Sequence, residues 1–585
     1  MSPRSKAKRS AAEAVVAGPT LPDLSDHPLL TRLTVEHLAY ALLIIAPLTI
    51  RLINLGARPL APAEAETALR AWQASRGLET SLDAGIPLLF SLQWLTFFLA
   101  GGAGEALARV WPVLASAAIP LVVYDWRRRL GKTTALLTAL LLTASPLLNA
   151  FGRRGDGPAL TLLALSLALS GWGRVREGQD RGWVPLAAGV GLLLISGPAA
   201  PTALLGLALF ALLEQRLSPR VLSAPTLGHG LVGLAVVLVG GSAFLTRPAG
   251  IGLLAVNWSE WLGAFSLSGR SLLWGFLRLP LDEPLLVSAG LVAIVRSFRR
   301  NDTLAAFSLT AAALLVVSLL QGPYASGSRL VLVLFLGPPV ARFLVDMGRS
   351  AVYREANGEA WLYVVVLGML LALGVFSLIA YSRSGDVSHL YLLVATVLMS
   401  LVLTAVFGFF IGWQRLVHML ALVLFIALGL FDIAMLWGMG YDTNSPRFPA
   451  LYASDTRPGI VDLQATINDL SERRKGDPWS LPVAIMEQGP ASDLLQWQLR
   501  RVTDLSMVTG VSLETAPPLV VAPIEAVLPL SDRYAGQDFA ILDAWEPGDA
   551  DIRRVIAWAL YRIAPWDLPT ENYVLWADST ILTPQ

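Results

Sequence analysis

Long apolar runs separated by short polar turns dominate the first 440 residues of the chain. Thirteen of these runs approach the roughly 20 residues that an α-helix needs to cross the hydrocarbon core of a bilayer. The predicted membrane-spanning segments are 35–53, 107–125, 133–150, 158–173, 183–197, 201–214, 226–245, 284–296, 303–321, 329–345, 361–381, 389–412 and 417–440. Several are short and rich in glycine and proline, so their ends are loosely defined. The pattern predicts a polytopic α-helical membrane protein.

One further apolar run, IPLLFSLQWLTFFLAG at 86–101, is expected to lie at the outer surface of the membrane instead of crossing it. If it crossed, the stretch WRRRLGK at 126–132 would face outward, whereas Lys and Arg favour cytoplasmic loops. The run has about 16 residues, at the short limit for a span, and its aromatic side chains suit the headgroup layer.

Basic residues recur at alternate loops, and this asymmetry predicts the orientation. Cytoplasmic turns are marked by Arg127–Arg129 with Lys132, by Arg174, Arg176 and Arg181, by Arg216 and Arg220, by Arg296, Arg299 and Arg300, by Arg349 and Arg354, and by Arg415. The basic tail at 1–34 lacks a signal-peptide core and is predicted to be cytoplasmic. We therefore expect a multi-pass plasma-membrane protein with its N-terminus inside and its C-terminus outside.

The composition changes at residue 441, where Asp, Glu, Pro and Arg become more frequent. Residues 460–474 and 549–562 have the periodicity of amphipathic helices. Short strands are predicted at 481–487, 518–522, 539–545 and 573–578. Residues 441–585 are long enough for an independent α/β domain outside the cytoplasm. The membrane domain is then 35–440, with residues 54–106 as its first outer loop.

Composition excludes several classes of function. Hydrophobic residues make up 55% of the 585 residues and charged residues 15%. The net charge is +1 and the arginines are spread over short loops, so nucleic acid is not an expected partner. There is no cysteine, which excludes disulfides and thiolate chemistry, and the five histidines are scattered without the spacing of metal ligands.

The first outer loop contains two acids at a predicted helix start. Pro59 and Pro62 favour a first helical turn, and Glu64 and Glu66 follow them. Both acids have ordinary explanations: Glu64 suits the positive end of the helix dipole, and Glu66 is spaced i,i+4 from Arg70. An ionisable pair so close to the membrane is also a candidate active site. For Glu64 both interpretations stay open, and for Glu66 the structural one is favoured.

Other predicted outer loops add polar residues. The loop FGRRGDGP supplies Arg153, Arg154 and Asp156, the stretch NWSEW supplies Glu260, and Arg329 follows the turn YASGS. Each of these could be an ordinary loop charge in the headgroup layer. Together they would combine carboxylates, which act as general bases or bind hard cations, with arginines, which bind phosphate through two parallel hydrogen bonds. This combination predicts a lipid-phosphate substrate.

At this point the chain resembles the GT-C superfamily of polytopic glycosyltransferases, which includes protein O-mannosyltransferases and lipid A aminoarabinose transferases. The resemblance is carried by the first span, the acidic loop helix, the stretch ALARVWPVLASAAIPLVVYDWRRRLGKTTALLTALLLTASPLL and the GRRGD loop. The C-terminal stretches PWSLPVAIMEQGPASDLLQWQLRRV and YRIAPWDLPTENYVLWAD look like the outer domain of mannosyltransferase-like membrane proteins. The later spans match in pattern only.

The resemblance implies an enzyme that moves a sugar from a polyprenyl-phosphate donor to a glycan or protein acceptor outside the cytoplasm. The first loop of such enzymes usually carries an Asp-Glu pair, but here Ala63 stands at the Asp and Glu64 at the Glu. Asp156 matches the second-loop Asp, and Arg329 looks like an arginine that opens a late span in these proteins.

The favoured prediction is a glycosyltransferase in which Glu64 is the base. Asp156 orients the substrate or binds a divalent cation such as Mg²⁺ or Mn²⁺, and the arginines at 153, 154 and 329 hold the leaving phosphate, with Glu260 as a further substrate contact. One alternative is an inactive relative that serves as a scaffold in envelope biogenesis, as Ala63 suggests. A second is a flippase or transporter, although the sequence shows no convincing internal repeat.

Overall fold

The computed structural model describes residues 34–78, 85–266, 268–297, 302–322, 326–350, 353, 358–441, 454–487, 489, 491–511, 517–530, 533–545, 551–562, 564 and 566–582. All but one residue of the predicted cytoplasmic tail lies outside these ranges. The described chain forms a helical membrane part followed by an α/β domain.

Nineteen helices make up the membrane part and its outer loops within the described ranges. They are α1 Val35–Leu52, α2 Pro62–Ser75, α3 Pro87–Ala100, α4 Glu105–Asp125, α5 Arg127–Leu130, α6 Lys132–Ala144, α7 Pro146–Gly152, α8 Pro158–Arg176, α9 Trp183–Leu194, α10 Ala200–Leu217, α11 Leu227–Gly241, α12 Leu253–Gly263, α13 Gly269–Asp282, α14 Pro284–Ser297, α15 Thr303–Leu320, α16 Ser326–Gly348, α17 Gly358–Ser384, α18 Ser388–Ile411 and α19 Trp413–Tyr441.

Every one of the thirteen predicted spans coincides with a helix or with a bent helix pair. Within the described residues, nine helices are long and apolar enough to cross a membrane, and the bent pair α6–α7 makes up to ten. The other three predicted spans are α9, α11 and α14, which have 12, 15 and 14 residues. Helices of that length rise about 18–22 Å, less than the roughly 30 Å of the hydrocarbon core. The span count of thirteen therefore stays a prediction.

The α6–α7 pair bends by 60° at Ser145 and Pro146. The Ser145 hydroxyl accepts a hydrogen bond from the Leu148 amide at 3.1 Å, and Pro146 occupies the first helical position. A serine cap followed by proline starts a new helix, because proline cannot donate to the preceding turn. The Glu283 carboxylate accepts from the Ser145 hydroxyl and from the Leu147 amide, so an acid from the start of α14 holds the bend.

In its described residues, the C-terminal domain is a six-stranded mixed sheet with four helices. Its elements are β1 Ser454–Thr456, α20 Gly459–Lys475, β2 Val483–Met486, α21 Ser492–Gln498, β3 Leu505–Val508, β4 Leu519–Pro523, β5 Tyr534–Ala544, α22 Ile552–Tyr561, β6 Thr570–Asp578 and α23 Ser579–Leu582. The strand order is β1-β5-β6-β4-β2-β3. The β2–β3 and β2–β4 pairs are parallel, and the other three pairs are antiparallel. All four predicted strands and both predicted helices are present; β1, β3, α21 and α23 were not predicted.

The first outer loop shares one hydrophobic core with this domain. Leu69 of α2 and Phe97 of α3 are buried in the same cluster as Ile485 and Trp497, and the Phe97 and Trp497 rings lie 5.9 Å apart. Glu105 at the start of α4 accepts a hydrogen bond from the Trp497 indole at 3.1 Å. The predicted division assigns residues 54–106 to the membrane domain, whereas the packing joins α2 and α3 to the C-terminal domain.

A second contact joins α13 to the C-terminal domain through tryptophans. The Trp274 ring lies 5.2 Å from Trp558 and 4.9 Å from Trp566, edge to face in both cases. Trp545 lies 4.8 Å from Trp566. Aromatic pairs of this geometry bury large apolar areas. The loops predicted to be outer and the C-terminal domain therefore form one packed layer.

Candidate active site

Glu64 lies where the first outer loop turns into α2. Pro62 occupies the first helical position, as the two prolines predict, and Glu64 follows in the first turn. Its side chain folds back and accepts a hydrogen bond from the Ala61 amide at 2.7 Å. This bond satisfies a backbone donor at the helix start, as a capping-box acid does. The turn buries Glu64, which is 1% exposed, and leaves Ala63 exposed.

The Glu64 carboxylate accepts four hydrogen bonds. Arg109 of α4 donates from Nε to Oε1 at 2.9 Å and from an Nη to Oε2 at 2.8 Å. The Gly155 amide of the second outer loop donates to Oε1, and the Ala61 amide to Oε2. An ionised carboxylate has about four lone-pair positions, so these donors fill them. Glu64 therefore joins the first loop, α4 and the second loop.

Arg109 is equally saturated. Besides its bonds to Glu64, it donates to the carbonyls of Leu55, Arg58 and Pro59 at 2.8–3.1 Å. These five bonds use all five N–H groups of a guanidinium. A bidentate ion pair of this kind fixes geometry strongly, and loss of one partner leaves a buried charge. The pair sets the shape of the first outer loop.

The environment of Glu64 keeps it ionised. Burial raises the pKa of its carboxyl, but the charge and hydrogen bonds of Arg109, with smaller effects of Arg154 and the Ala61 amide, lower that pKa to about 2. A base with so low a pKa takes up protons weakly near neutral pH. The low pKa and the four occupied lone-pair positions of the carboxylate both argue against the predicted role of Glu64 as the general base.

A cleft lies beside this ion pair. Its lining comes from the first loop, α4, the second loop, the end of α19 and the C-terminal domain. The lining residues are Asn54, Leu55, Arg58, Glu64, Arg109, Ala150, Arg153, Arg154, Met439, Gly440 and Asp455. Four guanidinium groups face two carboxylates, so the cleft carries a net positive charge. Such a site favours an anion, and guanidinium groups are suited to phosphate.

Asp455 is the second carboxylate of the cleft, and it comes from β1 of the C-terminal domain. Its side chain is 12% exposed and forms an ion pair with Arg58, whose side chain is 29% exposed. The neighbouring Thr456 hydroxyl donates to the Leu60 carbonyl at 2.7 Å, which docks β1 against the first loop. Asp455 is therefore a carboxylate in the cleft that is less enclosed than Glu64.

The second loop contributes its arginines to the cleft in different ways. Arg153 donates to the carbonyls of Gly440 at 2.9 Å, Arg51 at 2.7 Å and Ile53 at 2.9 Å, and it lies over the Tyr441 ring at 4.2 Å. These bonds join the ends of α1 and α19, so Arg153 has a clear structural role. Arg154 is buried, lines the cleft and lowers the pKa of Glu64.

Asp156 is buried in the second loop, one residue beyond the amide that binds Glu64. It does not line the cleft. The loop approaches its neighbours closely: a Cβ on Gly157 would lie 2.2 Å from the Ser196 carbonyl oxygen. The loop thus places Asp156 next to the residue that binds Glu64, but Asp156 does not line the cleft.

Two predicted site residues lie elsewhere. Arg329, at the start of α16, donates to Asp282 at 3.3 Å and to the Gly322 carbonyl at 2.9 Å. Arg278 and Arg562 also pair with Asp282, so three arginines from α13, α16 and the C-terminal domain surround one carboxylate.

Glu260 is exposed on α12. Neither Arg329 nor Glu260 lines the cleft with Glu64.

The surroundings of Asp156 do not fit the predicted divalent cation. Arg153 and Arg154 precede it, and the nearby Glu64 carboxylate is occupied by Arg109. Throughout the described ranges, no three His, Asp or Glu side chains form a group that could hold a metal ion. Mg²⁺ usually binds through one or two carboxylates together with waters and substrate phosphates, and the neighbouring guanidinium groups repel a cation.

Three charged residues of the cleft were missed from sequence: Arg58, Arg109 and Asp455. Arg109 carries a readable signal, since a lone arginine one turn inside an apolar helix needs a buried partner. Arg58 and Asp455 carry none, because 397 positions separate them in the chain.

Comparisons with known proteins agree with this architecture. A family model described as dolichyl-phosphate-mannose-protein mannosyltransferase matches residues 84–241. The structure of ArnT from Cupriavidus metallidurans bound to undecaprenyl phosphate is similar, with a TM-score of 0.52 and 16% identity over 93% of this chain and 99% of that chain. An Archaeoglobus fulgidus oligosaccharyltransferase tethered to an acceptor peptide gives a TM-score of 0.43 and 13% identity over 84% of this chain and 69% of that chain.

A comparison with curated proteins finds no match. The ArnT likeness extends over nearly the whole of both chains, and it includes the helical membrane part and the outer α/β domain. The matched family segment covers α3 to α11, which contain Arg109 and the second loop. The chain therefore has the GT-C fold.

Proposed function

We propose that the chain binds a polyprenyl-phosphate sugar in the arginine-lined cleft and transfers the sugar to a hydroxyl of an acceptor outside the cytoplasm. The observation that carries this proposal is the cleft itself, with four arginines and two carboxylates between both outer loops and the C-terminal domain. The bound undecaprenyl phosphate of the similar ArnT structure supports a lipid-phosphate donor.

In this proposal Arg58 and Arg154 contact the phosphate, while Arg109 and Arg153 mainly position the loops. Arg58 is partly exposed and already pairs with an anion, Asp455. Guanidinium groups form charge-assisted hydrogen bonds with phosphate oxygens. They would also stabilise the charge that develops on the phosphate as the bond from the sugar to it breaks.

Asp455 is the proposed general base in place of Glu64. The acceptor oxygen would form a bond to the anomeric carbon while Asp455 takes the hydroxyl proton. The bond from that carbon to the phosphate oxygen breaks, and polyprenyl phosphate leaves. Phosphate binding at Arg58 would weaken its hold on Asp455 and release the carboxylate for this step.

Donor binding is tested with purified full-length protein and radiolabelled undecaprenyl phosphate in detergent. We expect Arg58→Ala to weaken binding at least tenfold, since it removes a charge-assisted contact worth about 1.5–3 kcal/mol. The matched control is Arg76→Ala, because Arg76 is exposed at the end of α2 and does not line the cleft. Equal binding by both variants would exclude the cleft as the phosphate site.

Transfer is assayed with a panel of lipid-linked sugars and extracts of the cell envelope as acceptor. Asp455→Asn should reduce the rate about 10²–10⁴-fold, the usual effect of losing a positioned base, while donor binding is retained. Transfer that persists at the wild-type rate in Asp455→Asn would exclude this residue as the base. Asp156→Asn is the variant with which Asp455→Asn is compared, because the Asp156 carboxylate is buried but does not line the cleft.

The inactive-scaffold alternative also has an observation in its favour. Ala63 is exposed at the start of α2, where the resemblance expects a catalytic Asp, and the neighbouring Glu64 is fully engaged. If the chain is a scaffold, the wild type should transfer no sugar, whether or not it binds polyprenyl phosphate. Ala63→Asp would then be the variant that gains transfer. Its exposed position in the first helical turn tolerates an acid.

A further inference from the structure

A second cavity lies in the membrane part, far from the arginine-lined cleft. It has a volume of about 560 Å³ and lies between α14, α16 and α19. Leu285 and Leu286 of α14 belong to the large central hydrophobic cluster, and Phe425 and Leu428 of α19 pack against the same cluster. Nearer its start, α19 packs with α17 through Met419 and Val423. The cavity therefore lies where α19 passes from one hydrophobic cluster to the other.

The cavity extends along α14 from Leu285 to Arg296, and its charged rim lies at the end of the helices opposite the C-terminal domain. The start of α14 follows Asp282, which pairs with Arg562 of that domain, and the end of α19 reaches Tyr441 beside Arg153. From there the helices run to Arg296 at the end of α14 and His418 near the start of α19. These two residues line the cavity.

The walls are apolar along the helices and polar at this far end. Apolar wall residues are Leu285, Ala289, Val292, Phe343, Leu344, Met347, Val417, Leu420, Ala421, Leu424, Phe425 and Leu428. Arg296, Arg349, His418 and Asp346 provide the charged or titratable groups. Asp346 forms an ion pair with Arg342 at 3.0 Å, so the remaining charge at the rim is positive.

We propose that this cavity binds one anionic phospholipid from the membrane leaflet opposite the C-terminal domain. The apolar walls match acyl chains, which are the surrounding solvent of the helices within a bilayer. The Arg296 guanidinium lies 4.9 Å above the Phe343 ring, at the mouth of the apolar wall, where a phosphodiester would enter. Arginine at such a depth pairs with a headgroup phosphate and so avoids an unpaired charge.

This site differs from the donor site in position and in chemistry. The donor cleft combines four arginines with two acids and lies against the C-terminal domain, whereas this cavity is mainly hydrocarbon with a cationic rim. The bound lipid would fill the space between α14, α16 and α19 and hold α19 in place. Since α19 also ends at the donor cleft, its position matters to both sites.

The test is native mass spectrometry of the full chain in detergent with added phosphatidylglycerol or phosphatidylcholine. We expect one tightly retained phosphatidylglycerol and at least tenfold weaker retention of phosphatidylcholine. Arg296→Ala combined with Arg349→Ala should reduce phosphatidylglycerol retention at least tenfold. Arg216→Ala, an exposed arginine at the end of α10, is the matched control for general attraction of anionic lipid.

A second pair of variants tests the apolar wall without changing charge. Ala421→Trp fills the cavity and should displace the lipid, whereas Ala405→Trp, on an exposed position of α18, should not. Equal retention of both lipids, no retained lipid, or unchanged retention in Ala421→Trp would each overturn the proposal. The melting temperature of every variant establishes that it is folded. The donor-binding assay tests the proposed function separately from this phospholipid site.

Discussion

At the scale of single residues, the Glu64–Arg109 pair determines how the outer site is built. Both side chains are almost fully buried, and between them they bind the first loop, α4 and the second loop. The sequence indicates that Glu64 starts a helix near the membrane. It does not indicate the partner, because Arg109 lies 45 positions away and the pairing depends on how α2 and α4 pack.

Glu64→Gln should destabilise the protein by about 3–5 kcal/mol, the usual cost of breaking a buried ion pair. The amide keeps the size of the side chain but leaves the Arg109 charge uncompensated. Melting temperatures in detergent micelles measure the effect. Glu66→Gln is the control, since the Glu66 side chain is 34% exposed and lies 3.9 Å from Arg70, and we expect little change. Equal melting of Glu64→Gln and wild type would contradict the structural role.

The stability difference between wild type and Glu64→Gln should depend on pH in a defined window. The pKa of Glu64 is about 2 in the folded protein, below the roughly 4.3 of an unfolded chain. The stabilisation is therefore complete above about pH 4.3 and is lost as the pH falls towards 2. Melting temperatures from pH 8 to 3 should show a constant difference down to about pH 5 and a smaller one below. A difference that already fell between pH 8 and 6 would indicate a raised pKa.

At the scale of elements, the apolar pattern predicts helices well and strands partly. All thirteen predicted spans are helical, because each must satisfy its backbone within the segment and carries a long apolar run. The strands β1 and β3 were missed. Each has three or four residues, too few to show alternation, and β1 follows a stretch of mixed polarity.

The break between α6 and α7 was also missed, since residues 133–150 have the length of one span. Ser145 and Pro146 mark a helix start, but proline is also tolerated inside membrane helices. The bend depends on Glu283, which is 138 positions from Ser145. The candidate site was predicted in part for the same reason: local patterns identify Glu64 and the second loop, whereas Asp455 reaches the cleft through tertiary packing.

The second loop gives an element-scale prediction. Gly157→Ala should destabilise the protein by about 1–3 kcal/mol, because the new Cβ would lie 2.2 Å from the Ser196 carbonyl and must displace backbone. Displacement of the loop should also weaken binding of undecaprenyl phosphate. Gly102→Ala is the matched control, since nothing lies within 4 Å of its Cβ position. Equal melting temperatures and equal binding of undecaprenyl phosphate in the two variants would show that the loop accommodates the added Cβ, and the prediction would be wrong.

At the scale of the whole molecule, the distribution of charge and the packing distinguish the same two sides of the protein: one with the C-terminal domain and one with the arginine-rich turns. The outer loops, the cleft and the C-terminal domain form one layer, joined by the Asp282 arginine cluster and the tryptophan contacts. The arginine-rich turns predicted to be cytoplasmic lie at helix ends away from that layer; Arg296 and Arg349 are examples. The proposed donor site and the proposed phospholipid site would then serve opposite leaflets.

This orientation can be tested directly because the natural chain has no cysteine. Single cysteines replace Val527, which is 96% exposed in the C-terminal domain, and Lys132, whose side chain is 77% exposed at the start of α6. A membrane-impermeant maleimide should label Val527→Cys in intact cells and Lys132→Cys after permeabilisation. Positive charge in the WRRRLGK turn supports the inner location of Lys132. Labelling of Lys132→Cys in intact cells would place that turn outside, and the outer cleft would then face the cytoplasm.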